Sequence, residues 1–131
     1  MLTIILSIED NFLTCFRFIE CYYKRSTNLT ANKDIITQSL SDHPQNISSF
    51  HTLGTDYIDE IIALRNQYVH TGFYLKNNTL EHKNRQGQVI AVYPNITAEW
   101  IYERTKLLYQ IVMDIIFITM LGYNLYTYDY R

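Results

Sequence analysis

From Thr97 to Leu121 apolar residues recur so densely that, wound as a helix, they leave almost no polar face. Trp100, Ile101, Leu107, Leu108, Ile111, Val112, Ile115, Ile116 and Ile118 cover most of the circumference. Such a helix is buried on several sides, or is buried on one and meets a second chain on another. Its richest stretch, "LLYQIVMDIIFITMLGY" (Leu107 to Tyr123), holds Gln110 and Asp114. It falls short of the ~20 uninterrupted apolar residues that a membrane helix needs. The segment therefore reads as the central helix of a small bundle.

Two further segments have helical period. The first runs from about Ser7 to Arg25, with Ile8, Phe12, Cys15, Phe16, Ile19, Tyr22 and Tyr23 on one stripe. Ser7, with Asp10 one turn on, suits an N-terminal cap, and Lys24 and Arg25 suit the negative end of the dipole. The apolar "LTIIL" before Ser7 either extends this helix or packs separately. The second runs from about Asp56 to Thr71, with Asp56 as cap and Gly72 as the stop. Ser26 to Thr55 is polar, contains Pro44 and Gly54, and reads as a long loop with at most one short helix near Asp34 to Leu40. Between Phe73 and Pro94, "RQG" suggests a turn and "QVIAVY" a short strand, hence a small hairpin insertion. The expected architecture is a single all-α domain over residues 1–131, a bundle of long antiparallel helices with room for that hairpin.

At 131 residues the chain can bury a core without disulfides or metals. Cys15 and Cys21 fall on different faces of one helical pattern, so they are not expected to pair, and no Cys/His spacing suggests zinc. A reducing cytoplasm fits that usage. "MLTIILSIEDNF" lacks a basic start, a long apolar core and a cleavage site, so it does not read as a secretion signal. The sequons at Asn28, Asn46, Asn77 and Asn95 then follow from an Asn- and Thr-rich composition. The formal charge is −2, which excludes a general nucleic-acid binder with a large basic surface. Any contact with RNA must be local.

One place answers to that description. On the Asp56–Thr71 helix the apolar stripe is Ile58, Ile61, Ile62, Tyr68 and Val69, and Arg65 falls inside it, two turns after Ile58. Asn66 and His70 stand one turn apart, about 40° around the axis, at the edge of the stripe. An unpaired Arg on a seam costs several kcal/mol or so in lost hydration. Arg65 is expected either to pair with Glu20, Asp59 or Asp114, or to await an anion. His70 lies in the last turn, where the helix dipole favours positive charge. Arg, Asn and His together suit phosphate chemistry. The same residues also suit a plain structural role, with Arg65 bridged to Glu20 and His70 bonded to a carbonyl at the helix end. His43, His51 and His82 lie in loops without metal spacing and are expected to be solvated.

The segment "RNQYVH" resembles the signature of the HEPN superfamily: an Arg, a polar residue directly after it, and a His a few residues on, near the end of a helix in a small all-α domain. "FRFIECYYKR" in the first helix is similar to the HEPN segment with a glutamate and trailing basic residues. Both resemble, in particular, the C-terminal domain of ApeA-like anti-phage proteins, although the large N-terminal region of those proteins is not in this chain. The resemblance implies a homodimeric endoribonuclease that needs no metal or other cofactor, acting in anti-phage defence or as a toxin, with an additional domain or partner chain. Arg65 and His70 match the hallmark pair, Asn66 the polar residue, and Glu20, more loosely, a first-helix acid. Tyr68, Phe73 and Tyr74 lie close enough in sequence to stack unpaired bases, although aromatic residues more often fill cores. The competing expectations are a non-catalytic HEPN-like dimerisation or nucleotide/RNA-binding module, and the nucleotide-binding partner of a transferase toxin.

Overall fold

The computed structural model describes residues 7–43, 57–120 and Gly122. The "LTIIL" segment, Asp56 and its expected capping role, His51 and the chain beyond Gly122 lie outside the described residues.

Helix α1 spans Ile8–Ser26. The Ser7 hydroxyl accepts the Asp10 backbone N–H at 3.1 Å and donates to the Asp10 carboxylate at 2.9 Å, so the first turn is closed by a reciprocal cap. The helix buries Phe12, Cys15, Phe16, Ile19 and Tyr23, the stripe its period predicts. Helix α2, Asn32–Asp42, is longer than the sequence suggests and buries Ile35, Ile36, Ser39 and Leu40. Ala31 offers it no side-chain cap, so its ends are set by packing against α1 and the next helix rather than by local signals.

Helix α3 spans Tyr57–His70. It stops where Gly72 takes φ 109°, a left-handed conformation open to glycine, and the N–H groups of Thr71 and Gly72 both reach the Gln67 carbonyl, at 2.9 and 3.0 Å. The Gln67 side-chain amide donates onward to the carbonyls of Gly72 and Tyr74, at 3.3 and 3.1 Å, and so fixes the chain as it leaves the helix. A single 3-10 turn at Lys76–Asn78 leads into the hairpin. Asn77, Asn78 and Asn95 all have positive φ, a conformation Asn tolerates better than most residues. That is a structural reason for asparagine at two of the four sequons.

Strands β1 (Leu80–Lys83) and β2 (Val89–Tyr93) pair antiparallel, Leu80 opposite Tyr93 and His82 opposite Ala91, with an irregularity after His82. Helix α4 spans Ala98–Ile115, capped by the Thr97 hydroxyl, which accepts the Trp100 N–H at 3.1 Å. The expected α-helix to Leu121 is corrected here. From Ile116 to Met120 the backbone widens into a π-helical turn, where a run rich in β-branched residues weakens α-helical spacing.

Helix α1 is the hub and packs against α2, α3 and α4, while β1 packs on α3. One apolar cluster runs through all four helices and takes in Leu80 and Ile96. The expectation of an all-α fold is therefore corrected: the protein is mostly helical, with a small antiparallel sheet set against α3. Among the described residues no helix is long and apolar enough to cross a membrane.

Candidate functional site at the end of helix α3

Arg65 does not point into the core. Its guanidinium lies over the Phe16 ring, 5.8 Å from the centroid, with Nη2 4.0 Å from the Glu20 carboxylate and Nη1 donating to Asn66 Oδ1 at 3.0 Å. The side chains of Arg65 and Glu20 remain 22% and 18% exposed, so the pair sits at a seam with one side open. Of the three acids the sequence offers Arg65, Glu20 is the partner. Asp59 pairs with Lys33 at 3.0 Å, and Asp114 contacts His43. Glu20 also has Lys24 at 3.8 Å. Leu13, Phe16, Arg17, Glu20, Arg65 and Val69 line a crevice of only about 20 Å³ between α1 and α3.

His70 is exposed and faces the other way. With Asn66, Gln67 and Thr71 it forms the helical wall of a hollow of about 320 Å³, whose opposite wall is the hairpin: Glu81, Lys83, Asn84, Arg85 and Gly87. Within one chain the site is thus split. Arg65 belongs to the seam with α1 and His70 to the hollow beside the hairpin. Five residues along a helix separate two side chains by about 140°, which accounts for the divergence. Asn66 joins the halves, since its amide oxygen holds Arg65 and its side chain lines the hollow.

The two tyrosines considered for base stacking differ sharply. Tyr68 is 5% exposed and wedged edge-on between Phe12 and Phe73, with ring centroids 5.8 and 5.0 Å away. Burial raises its phenol pKa, and its hydroxyl has no partner among the described residues. A base cannot reach that ring, so Tyr68 is core and the stacking expectation for it is corrected. Tyr74 is 80% exposed, with its carbonyl held by Gln67, and Phe73 is half in solvent.

A buried ion pair joins α3 to α4 away from the RNQYVH segment. Glu60 on α3 accepts from Arg104 Nη2 on α4 at 2.9 Å, and both are nearly excluded from water. Arg104 also donates to the Trp100 carbonyl at 3.1 Å and lies 3.8 Å above the Trp100 ring. Desolvation lowers the Arg104 pKa, with Glu60 acting in opposition. The signal was present in the period: Arg104 lies three residues after Ile101 and four before Leu108, both buried. His43, expected to be solvated, is buried with its Nδ1 against the Asp114 carboxylate. Beside it the Tyr23 hydroxyl donates to Asp42 at 2.7 Å, and burial, then this bond, raise the Tyr23 pKa well above its ordinary value. His82 is half-buried, also less open than expected.

Among the described residues, no group of three or more His, Cys, Asp or Glu side chains is placed to hold a metal ion. Compared with known proteins, the chain matches no family model, no curated protein and no solved structure.

Proposed function

We propose that the chain is a HEPN-type endoribonuclease that cuts single-stranded RNA without a metal, at a site completed by a second copy of itself. The observation that carries this reading is the half-buried guanidinium of Arg65. It is held in place by Glu20 and Asn66 and open on one side, just ahead of an exposed His70. A fixed guanidinium can grip two phosphoryl oxygens at once and stabilise charge that builds on them. A neighbouring imidazole can carry the proton, a task worth ~10²–10⁴-fold in rate.

In the reaction a ribose 2′-hydroxyl attacks the adjacent phosphorus. One imidazole takes the hydroxyl proton, the P–O5′ bond breaks, and a proton is returned to the departing 5′ oxygen. The products are a 2′,3′-cyclic phosphate and a 5′-hydroxyl. Two transfers are best served by two imidazoles, and a homodimer supplies two copies of His70. The divergence of Arg65 and His70 within one chain points the same way, because two α3 ends meeting about a two-fold axis can set one Arg65 beside the other His70. Val69 and Phe73, apolar and over two-fifths exposed, flank that end and suit such a contact. Tyr74 is the residue available to stack an unpaired base. The reading places the protein in a reducing cytoplasm, in anti-phage defence or as a toxin.

One observation favours a second reading. Arg65 already has two partners in its own chain, which suits a non-catalytic dimerisation or nucleotide/RNA-binding module. Incubation with labelled single-stranded RNA in EDTA separates the two. Cleavage to cyclic-phosphate ends supports the nuclease. Intact RNA, together with normal growth of cells that overproduce the chain, removes it.

A further inference from the structure

A chain of net charge −2 can hold RNA only where its few cations gather. We infer that the hollow between the end of α3 and the hairpin seats a phosphate of the RNA strand, with Lys83 and Arg85 as its cations. The inference rests on the ribonuclease reading of His70 and adds a binding subsite to it, on an element that the RNQYVH motif does not include.

The hollow is built for a polar anion. Lys83 and Arg85 stand on its hairpin wall facing His70, and Asn66, Gln67, Thr71 and Asn84 add uncharged groups able to donate. Its volume, about 320 Å³, is at the small end of ordinary ligand sites. Neither Lys83 nor Arg85 is in an ion pair among the described residues, whereas Lys24, Lys33, Arg65 and Arg104 are. Their charge is therefore free for a ligand. Glu81 is the opposing acid on the same wall.

The hairpin turn is also held rigid, so the cations are positioned in advance. Asn84 Oδ1 accepts the backbone N–H groups of Gln86 and Gln88 at 3.0 and 2.9 Å, and the Asn84 N–H donates to the Gln88 carbonyl at 2.9 Å. Gly87, at φ 81°, closes the turn. On the opposite wall, Gln67 and Gly72 fix the helix end that carries His70. A phosphate seated between two fixed walls sets the register of the strand against the imidazole. Lys83 and Arg85 are thus binding residues that position the substrate and take no part in the chemistry.

The test is fluorescence anisotropy with a short labelled single-stranded RNA at several salt concentrations, using His70→Ala protein so that nothing is cut. Lys83→Ala/Arg85→Ala should raise Kd about tenfold or more. It should also flatten the log Kd against log salt slope by about 0.7, the loss of one phosphate contact on a single strand. Lys76→Ala, which removes a cation outside the hollow, should leave both unchanged, and Glu81→Gln should tighten binding. In the cleaving protein the double variant should raise KM and leave kcat nearly unaltered. If its affinity and salt slope equal those of the parent, or if Lys76→Ala weakens binding as much, the seat is refuted while the nuclease stands on cleavage alone. RNA binding that depends on Lys83 and Arg85 in a protein that never cuts supports the seat and removes the nuclease.

Discussion

Replacing Glu60 by Ala should destabilise the protein strongly, although it touches none of the proposed site. The Glu60 carboxylate is hydrogen-bonded to Arg104 Nη2 and is the strongest anionic influence on it, ahead of Glu103, and the two side chains are 10% and 6% exposed. Removing it leaves a buried guanidinium with the Trp100 carbonyl and ring face, and with Nε unpartnered. Breaking one side of a buried ion pair costs about 3–5 kcal/mol. The Trp100 contacts survive, so the lower end applies, about 3 kcal/mol. A domain of this size loses roughly 3–5 °C in Tm per kcal/mol, so melting should fall by about 10–15 °C. Glu60→Met/Arg104→Met removes both charges and keeps much of the volume, and should return to within about 1–2 kcal/mol of the unaltered protein. Calorimetry and urea unfolding of Glu60→Met, Arg104→Met and the double variant complete the cycle. A Glu60→Ala protein that melts within about 2 °C of the parent would show that Arg104 finds water, and the buried-pair argument would fail.

Three other outcomes follow from buried groups. His43→Ala should destabilise by about 3 kcal/mol, read by urea unfolding, because it strands the buried Asp114 carboxylate, whose Oδ1 already lacks a partner. Tyr23 has its pKa raised by burial and Asp42, so the stability it lends is complete below its unfolded value near 10 and is lost as pH rises towards the folded value. Unfolding free energy should therefore drop above about pH 10, and less steeply in Tyr23→Phe. Cys21 is exposed and should react with a thiol reagent in the native protein. Cys15, buried with a raised pKa, should react only on unfolding, as mass spectrometry of labelled peptides can read.

The helix ends that carry their own chemistry were legible from residue type. Ser7 with Asp10 starts α1, and Gly72 ends α3, as their side chains or φ angles require. Helix α2 was half hidden because it has no cap and owes its length to packing. The hairpin showed through "RQG" and "QVIAVY", but β1 did not, since "LEHK" buries only Leu80 and has no clear alternation. Arg65 was anomalous in sequence and is placed as an anomaly, at a seam with Glu20. Tyr68 was ambiguous because a buried and a stacking aromatic look alike until neighbours such as Phe12 and Phe73 are in place. Lys83 and Arg85 were invisible as site residues, because nothing local links a turn to a helix end that precedes it by a dozen residues. His43 is buried through a contact with a residue on α4, far along the chain, which no period reveals.

The measurement that bears most directly on the ribonuclease reading pairs thermal melting with RNA cleavage for His70→Ala, in EDTA, on a labelled single-stranded substrate. His70 is exposed, so the variant should melt with the unaltered protein and yet leave the RNA intact, while the unaltered protein cuts it to 2′,3′-cyclic phosphate ends. Cutting by His70→Ala at the parent rate, or cutting by the parent only when a divalent cation is added, would contradict it.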